Sequence, residues 1–373
     1  MFFWVFRNPK KIILVTALIS CFALWGMVKI DINNNFLDDL NDNSALKEDL
    51  NFFEQNFSGI RPFEMGIDLV DTSGNILDKN VLVEIEKVEN YLKVEYGIGF
   101  ILSPITIVKS INMALNGGKN DFYKLPESDS QMNKINRLIN RYKNRRGVPV
   151  LLSNDQLHGR IAGKMKDLGS KKVGHLNDDL NDFISNNIDH SLLKFELTGA
   201  AELMDSSNSR IASYLIVGLG FAFLVIALVI GLIFRSGKVA IISLLPNFLP
   251  LLMIAGIMGI FNIELKVATA LIFTIALGIA IDDTIHLLSR YKTEMTKTTS
   301  SMRALKTAYL STGKAIILTS IILSSGFVVF TMSEFYSTFY IGLLVSITLL
   351  IALTSNLVIL PLLISKFYKK KGF

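Results

Sequence analysis

Long uncharged runs alternate with charged stretches, and their lengths set the first expectation. The runs cover residues 12–28, 211–234, 239–263, 315–333 and 335–365, and a sixth starts at residue 267 and continues through Asp282 and Asp283 to residue 289. A helix of about 20 apolar residues crosses the hydrocarbon of a bilayer, so six spans are predicted. The last run is longer than one upright span needs. Its start, Phe335-Tyr336-Ser337-Thr338-Phe339-Tyr340, reads as an aromatic segment at the membrane interface, with the span itself over 336–365. Arg7, Lys10 and Lys11 precede the first run, but no small-residue cleavage site follows it, so it reads as an uncleaved anchor rather than a signal peptide.

Between the first two spans, residues 31–210 carry the shorter periods of a folded domain. Phe63, Met65, Ile67 and Leu69 alternate with polar or small residues, which predicts a strand with one buried face. Val81, Ile85, Val88 and Leu92 keep the spacing of an amphipathic helix. A short strand is expected at 98–102. Another is expected where Leu157, Ile161 and Met165 alternate with His158, Arg160, Lys164 and Lys166. A second helix should carry Leu176, Leu180, Phe183 and Ile188, and a last strand Leu193, Phe195 and Leu197. The order βαββαβ predicts an α+β, ferredoxin-like extracytoplasmic unit. Residues 104–150 interrupt it with polar, helical sequence and a turn around Gly117-Gly118 and Pro126, and Leu46, Leu50, Phe53 and Phe57 mark a helix before it. The expected organisation is an N-terminus and first span over 1–30, the inserted domain over 31–210, a bundle of five spans over 211–365 and a basic tail over 366–373.

Composition changes the picture in one respect. Half of the 373 residues are hydrophobic and 19% are charged, with a mean hydropathy of +0.43, which excludes an ordinary soluble enzyme, a fibrous repeat and a disordered chain. The net charge of +6 is a matter of topology. Arg7, Lys10 and Lys11, Arg235 and Lys238, the cluster from Arg290 to Lys314, and Lys366 to Lys371 all fall on one side of six spans, with Glu294 as the one acid among them. Lys and Arg mark the cytoplasmic side. Both termini are therefore expected in the cytoplasm and the large domain in the periplasm or outside, as in a bacterial-type inner membrane. Nucleic-acid binding does not explain basic residues confined to short juxtamembrane loops. The single cysteine, Cys21, excludes a disulfide framework.

Candidate chemistry lies in the fourth span, ALGIAIDDTIHLLSRY, from Ala276 to Tyr291. Asp283 is about five residues past the middle of that run, roughly 7 Å toward the cytoplasm, and still at hydrocarbon depth. A charge near the middle of a span costs about 2.5–3.5 kcal/mol on insertion scales, and intramembrane acids mark function. No lysine or arginine lies inside any run to pair with Asp282 and Asp283. Burial and the repulsion between neighbouring carboxylates then favour the neutral form of at least one. A carboxyl that can be neutral or charged is what a proton carrier needs. Helical spacing puts Gly278, Asp282, His286 and Ser289 near one face and Asp283 about 100° round. Gly278 leaves room for another helix. Accessory relay candidates are His286, Thr284, Thr319, Ser320 and Asn356, and Asn247, Ser324, Ser325, Thr354 and Ser355 are further polar groups in the spans. Pro246 and Pro250 should kink or break the third span, with freed carbonyls met by neighbours. Asp39, Asn41 and Asn43 begin like a calcium loop, but Ser44 and Leu50 stand where glycine and glutamate are required. His158, His175 and His190 lack metal-ligand spacing. No cofactor or metal is expected, and no nucleophile–base set points to an enzyme.

Five stretches carry a family resemblance: NNNFLDDL, ALNGGKNDFYKLPES, FRSGKVAIISLLPNFLPLL, ALGIAIDDTIHLLSRY and TGKAIILTSIILSSGFVVF. In this order they resemble one half of a resistance-nodulation-division (RND) exporter of the MMPL-like, hydrophobe/amphiphile efflux type. The resemblance implies six helices per half, with a porter-like domain between helices 1 and 2. It also implies proton-driven export of hydrophobic or amphiphilic molecules such as lipids, with Asp282 and Asp283 as the proton-relay acids. Family members fuse two such halves. This chain holds one copy and reads as a complete unit, so it is expected to work as a homodimer or with a separate partner half. The alternatives are a lipid-sensing scaffold with a sterol-sensing-like bundle, and an auxiliary subunit of protein translocation.

Overall fold

The computed structural model describes residues 2–35, 37–142 and 151–367. It divides into two compact units.

The first unit holds the helices long and apolar enough to span a bilayer. A short helix, α1 (Phe2–Arg7), is followed by α2 (Pro9–Met27), with Pro9 at the first helical position, where its missing N–H costs nothing. The other five are α8 (Gly199–Phe234), α9 (Gly237–Ile260), α10 (Val267–Met295), α11 (Ser301–Val328) and α12 (Tyr336–Phe367). Among the described residues, six helices thus meet the length and hydropathy of a span. At 1.5 Å per residue, the 19 residues of α2 reach about 28 Å, close to the hydrocarbon thickness. α12 packs against α9, α10 and α11, and α2 packs on α9. α8 and α11 leave most of their apolar residues uncovered, as suits lipid contact.

Two helices depart from expectation. The basic stretch before residue 315 is helical from Ser301, so the connection from α10 is only residues 296–300. The acid on this side, Glu294, is buried between Arg290 at 2.9 Å and Lys297 at 3.0 Å. The aromatic segment at 336–340 is the first turn of α12 rather than a separate approach to it. Asp39 stops the chain there: its Oδ1 accepts the Ser337 N–H at 2.9 Å and also the Ser337 hydroxyl, supplying the partners that a helix start lacks. Leu40 bridges Phe335 beside it. Asp39 and Leu40, at the end of the stretch NNNFLDDL, are therefore a clasp on α12. Asn33 makes a comparable link, donating to Glu264 at 3.2 Å.

The seam between α2 and α9 is built from the absence of side chains. A Cβ on Gly259 would lie 1.8 Å from the Gly26 carbonyl oxygen, and one on Gly256 would lie 2.5 Å from Ala23 Cα. Small residues permit this approach where no hydrophobic force drives helices together. Pro246 and Pro250 do not break α9, which stays helical throughout. The carbonyl of Pro246, left without a partner because residue 250 has no N–H, accepts the Ser355 hydroxyl of α12 at 2.7 Å.

The second unit contains α3 (Ala45–Asn56), β1 (Arg61–Leu69), α4 (Lys79–Val94), β2 (Phe100–Leu102), α5 (Pro104–Leu115), α6 (Asp129–Tyr142), β3 (His158–Met165), α7 (Ser170–Asn187) and β4 (Leu193–Thr198). The four strands form one antiparallel sheet in the order β2-β3-β1-β4. Met65 is opposite both Ile161 and Leu197. The inward residues of β1 meet Val81, Ile85, Val88 and Leu92 of α4 and Val173, Leu180 and Ile184 of α7 in one core. β3 alternates glycine with large residues on that face. A Cβ on Gly163 would come within 2.7 Å of Ile98 and of the Phe100 carbonyl. Ile188 is not part of α7, whose last turn ends at Asn187. Ile188 is extended and still reaches the core, which is why it mimicked the helical spacing.

The segment between β2 and β3 joins this core through Ile105 and Val108 of α5 and Met132, Ile135 and Ile139 of α6. Ser103 and Thr106 close a capping box on α5. The stretch ALNGGKNDFYKLPES turns at Gly117 and Gly118, both at positive φ (76° and 74°). Asn112 then ties it down through the carbonyls of Phe122 and Lys124. Residues 143–150, the end of the predicted insertion, lie outside the described residues, as does the tail from 368. The helix expected around Leu46 forms as α3, but Phe53 and Phe57 stay exposed.

Arg61, at the start of β1, is fully buried in this unit between Asp167, 3.4 Å away, and Asp205. Tyr96 hydrogen-bonds Asn177 next to it, and burial raises its phenol above the ordinary tyrosine range.

Candidate functional site

Apolar clusters fill most of the bundle, and its buried polar side chains gather chiefly around Thr284. One core cluster includes Leu287, Leu288, Tyr309 and Leu360. Another includes Ile254, Phe273, Leu277 and Val345. The polar level comes from four helices: Ser243 and Asn247 on α9, Asp283 and Thr284 on α10, Ser320 on α11, and Ser355 and Asn356 on α12, all buried.

Thr284 is its centre. The hydroxyl lies 3.0 Å from Asn247 Oδ1, 2.8 Å from Asn356 Oδ1 and 3.2 Å from the Ala280 carbonyl. One hydroxyl proton thus has three acceptors within reach. Both amides are fixed by their nitrogens, which donate to the Ser243 carbonyl at 2.9 Å and the Ala280 carbonyl at 3.1 Å. Deep in an apolar bundle, such a network sets helix register, because any slip leaves buried polar atoms unpaired.

The two aspartates part company. Asp283 is buried, with the Ser320 hydroxyl of α11 beside its carboxyl. Asp282 points away from the bundle and pairs with His286 one turn on, at 3.3 Å, with 70% and 66% of their side chains exposed. The bare face continues through Leu271, Thr274, Gly278 and Ser289. A Cβ on Gly278 would meet nothing within 4 Å.

The structure thus brings Asp283, Thr284, Ser320 and Asn356 to one level and places Asp282, Gly278 and His286 on the adjoining open face. Thr319 is not with them. It is exposed and donates to its own helix, at the Ala315 carbonyl. Thr354 and Ser325 also turn back to their own helices. Ser324 and Ser346 exchange bonds between α11 and α12, at 3.3 and 3.0 Å, farther along. Sequence reasoning noted Ser320, Ser324, Ser325 and Ser355 but missed Ser243 and Ser346, which the bundle also buries. Among the described residues no group of His, Cys, Asp and Glu is arranged to hold a metal. His158 instead pairs with Asp68 at 2.6 Å on the exposed sheet, which holds its pKa above the usual histidine value.

The model of the MMPL family matches residues 111–368, from α5 through α12, more than half of the chain. The chain belongs to the MMPL family. It is thereby an RND-superfamily-like membrane protein, with the transporter-like character of that group. A protein of Methanocaldococcus jannaschii, named Putative membrane protein MJ1562, is 24% identical over 372 residues, covering 96% of this chain and 90% of the relative. An MMPL-type chain of about this length, with one set of six spans, therefore has a counterpart of nearly equal length.

Proposed function

We propose that this MMPL protein is a proton-driven exporter of hydrophobic or amphiphilic molecules, such as lipids, and that it works as a homodimer or with a second half. The observation that carries this is the arrangement on α10. A buried carboxyl, Asp283, sits at a polar level spanning four helices, and its neighbour Asp282 pairs with His286 on a face that none of the described residues covers. Ionisable groups at hydrocarbon depth face a protein interior or a watery cavity, not lipid. A two-fold partner presenting the same Leu271–Thr274–Gly278–Asp282 stripe would cover that face, as in a self-complementary interface.

In this reading protons reach the acids from the outer side and leave to the cytoplasm. Each proton crossing 100 mV supplies about 2.3 kcal/mol. Neutralising Asp283 changes its demand on Ser320, and the adjacent Thr284 proton redistributes between Asn247 and Asn356, biasing the packing of α10 against α9, α11 and α12. The termini belong in the cytoplasm of a bacterial-type inner membrane by the bias of Lys and Arg. The strand order β2-β3-β1-β4, with α4 and α7 as the crossovers, supports a ferredoxin-like, porter-like reading of the second unit.

Proton flux into liposomes under an imposed pH gradient tests the proposal. Wild type should acidify the lumen faster than protein-free liposomes, and the Asp282→Asn/Asp283→Asn double variant should not. Equal flux in the two proteins would overturn the mechanism.

A further inference from the structure

An open groove of about 790 Å³ lies between α1–α2 on one side and α9 and α12 on the other. Its size is that of a small-molecule site. At one end stand Trp4, Asn8 and Lys11, and beyond them the walls are mostly apolar, along Val15, Ile19, Ile351 and Ile347, with Thr16, Thr354 and Ser355 among them. Among the described residues of the lining, Lys11 is the charged one, and none is acidic. The break at Asn8–Pro9 lets α1 turn so that Phe2 and Val5 are buried while Trp4 faces outward over the groove mouth. From Lys11 to Ile19, the groove follows α2 for about 12 Å, close to the depth of one leaflet, roughly 15 Å. Tryptophan and lysine are the residue types that sit at headgroup level.

An ammonium at the mouth of a mostly apolar trough one leaflet deep recognises an amphiphile with an acidic head. We propose that this groove is a binding site for an anionic phospholipid of the leaflet at the N-terminal end of α2. The phosphate-bearing head sits against Lys11 and the Asn8 amide, and one acyl chain lies along Val15, Ile19 and Ile351. The floor is functional ground: Ser355, which lines the groove, bonds the Pro246 carbonyl and adjoins Asn356 of the polar level. The site stands whether or not the protein moves protons.

The test uses the two tryptophans of the chain. In the full-length Trp25→Phe protein, Trp4 is the one remaining. It is reconstituted in phosphatidylcholine vesicles containing rising fractions of dibrominated phosphatidylglycerol or, in a parallel series, dibrominated phosphatidylcholine. Bromines near the ring quench its fluorescence. One basic residue at a membrane surface is worth about a fivefold preference for an anionic lipid. Half-quenching should therefore come at about a fivefold lower fraction of the brominated phosphatidylglycerol. Lys11→Gln should remove the difference, and Lys10→Gln, an exposed neighbour outside the groove, should keep it. Both positions are exposed, so folding is not at stake. Equal quenching by the two lipids would mean ordinary solvation by bulk lipid and overturn the proposal. So would a preference that survives Lys11→Gln, or one lost equally in both variants, which would mark diffuse surface charge.

Discussion

Replacing Arg61 with methionine should loosen the second unit by a predictable amount. The guanidinium is 1% exposed and lies between Asp167, also 1% exposed, and Asp205, 7% exposed. Methionine fills much of the same space but leaves two carboxylates buried without their cation. Removing one partner of a buried ion pair costs about 3–5 kcal/mol. Each 1.4 kcal/mol is a factor of ten, so the opening equilibrium of the surrounding sheet should rise roughly 10²-fold to several 10³-fold. Hydrogen exchange of the full-length protein in lipid reads this directly at the amides of Met65 and Ile67 in β1 and Ile161 in β3. These belong to the core that Arg61 borders. The exchange of α12 amides, in the other unit, should stay unchanged. The control is Arg61→Met/Asp167→Leu/Asp205→Leu, because an apolar replacement of a whole buried ionic group is often neutral. Its exchange should return to within about tenfold of wild type. If the single variant exchanges within about threefold of wild type, or the triple variant is as loose as the single, the unpaired charges are not what the arginine offsets, and the reasoning fails.

Two further predictions concern the membrane helices. Gly259→Val puts a branched side chain where even a Cβ would lie 1.8 Å from the Gly26 carbonyl, so α2 must separate from α9. The thermal midpoint in detergent should fall by several degrees, whereas Gly326→Val, at a position with open space around it, should leave it unchanged. Gly278→Cys, in a Cys21→Ala background, should give a disulfide-linked dimer on mild oxidation in membranes, since a two-fold interface on the bare α10 face brings the two copies of residue 278 together. A chain that stays monomeric under oxidation would assign that face to a different partner.

Much of this arrangement was legible in the sequence, and the residues explain which parts were not. The strands around Phe63–Leu69 and Leu193–Leu197 could be read because one buried face forces alternation. Asp282 and Asp283 stood out because charge inside a long apolar run needs a reason. Helical angle separated the two acids by about 100°, but which of them the bundle buries had no sign in the sequence. What stayed hidden depends on partners far apart in the chain. Asn247 and Asn356 could be noted as polar residues in spans, but their meeting on Thr284 is a property of how α9, α10 and α12 pack. Thr319 and Ser320 looked alike in sequence, and one helical step of 100° puts one outside and the other beside Asp283. The glycine seam of α2 and α9 was silent, because glycines in an apolar run carry no periodic contrast. Asp39 looked like the start of a metal loop, and its use as a clasp on Ser337, almost 300 residues on, has no local sign.

The central claim is that the acids of α10 change protonation while the protein works. Infrared spectroscopy of the protein in lipid, taken from mildly acid to mildly alkaline pH, follows the carbonyl stretch of neutral carboxyl groups. A band that disappears as the pH rises, and is missing from Asp283→Asn, is the predicted result. A spectrum in which Asp283 keeps one form across the whole range would contradict the claim.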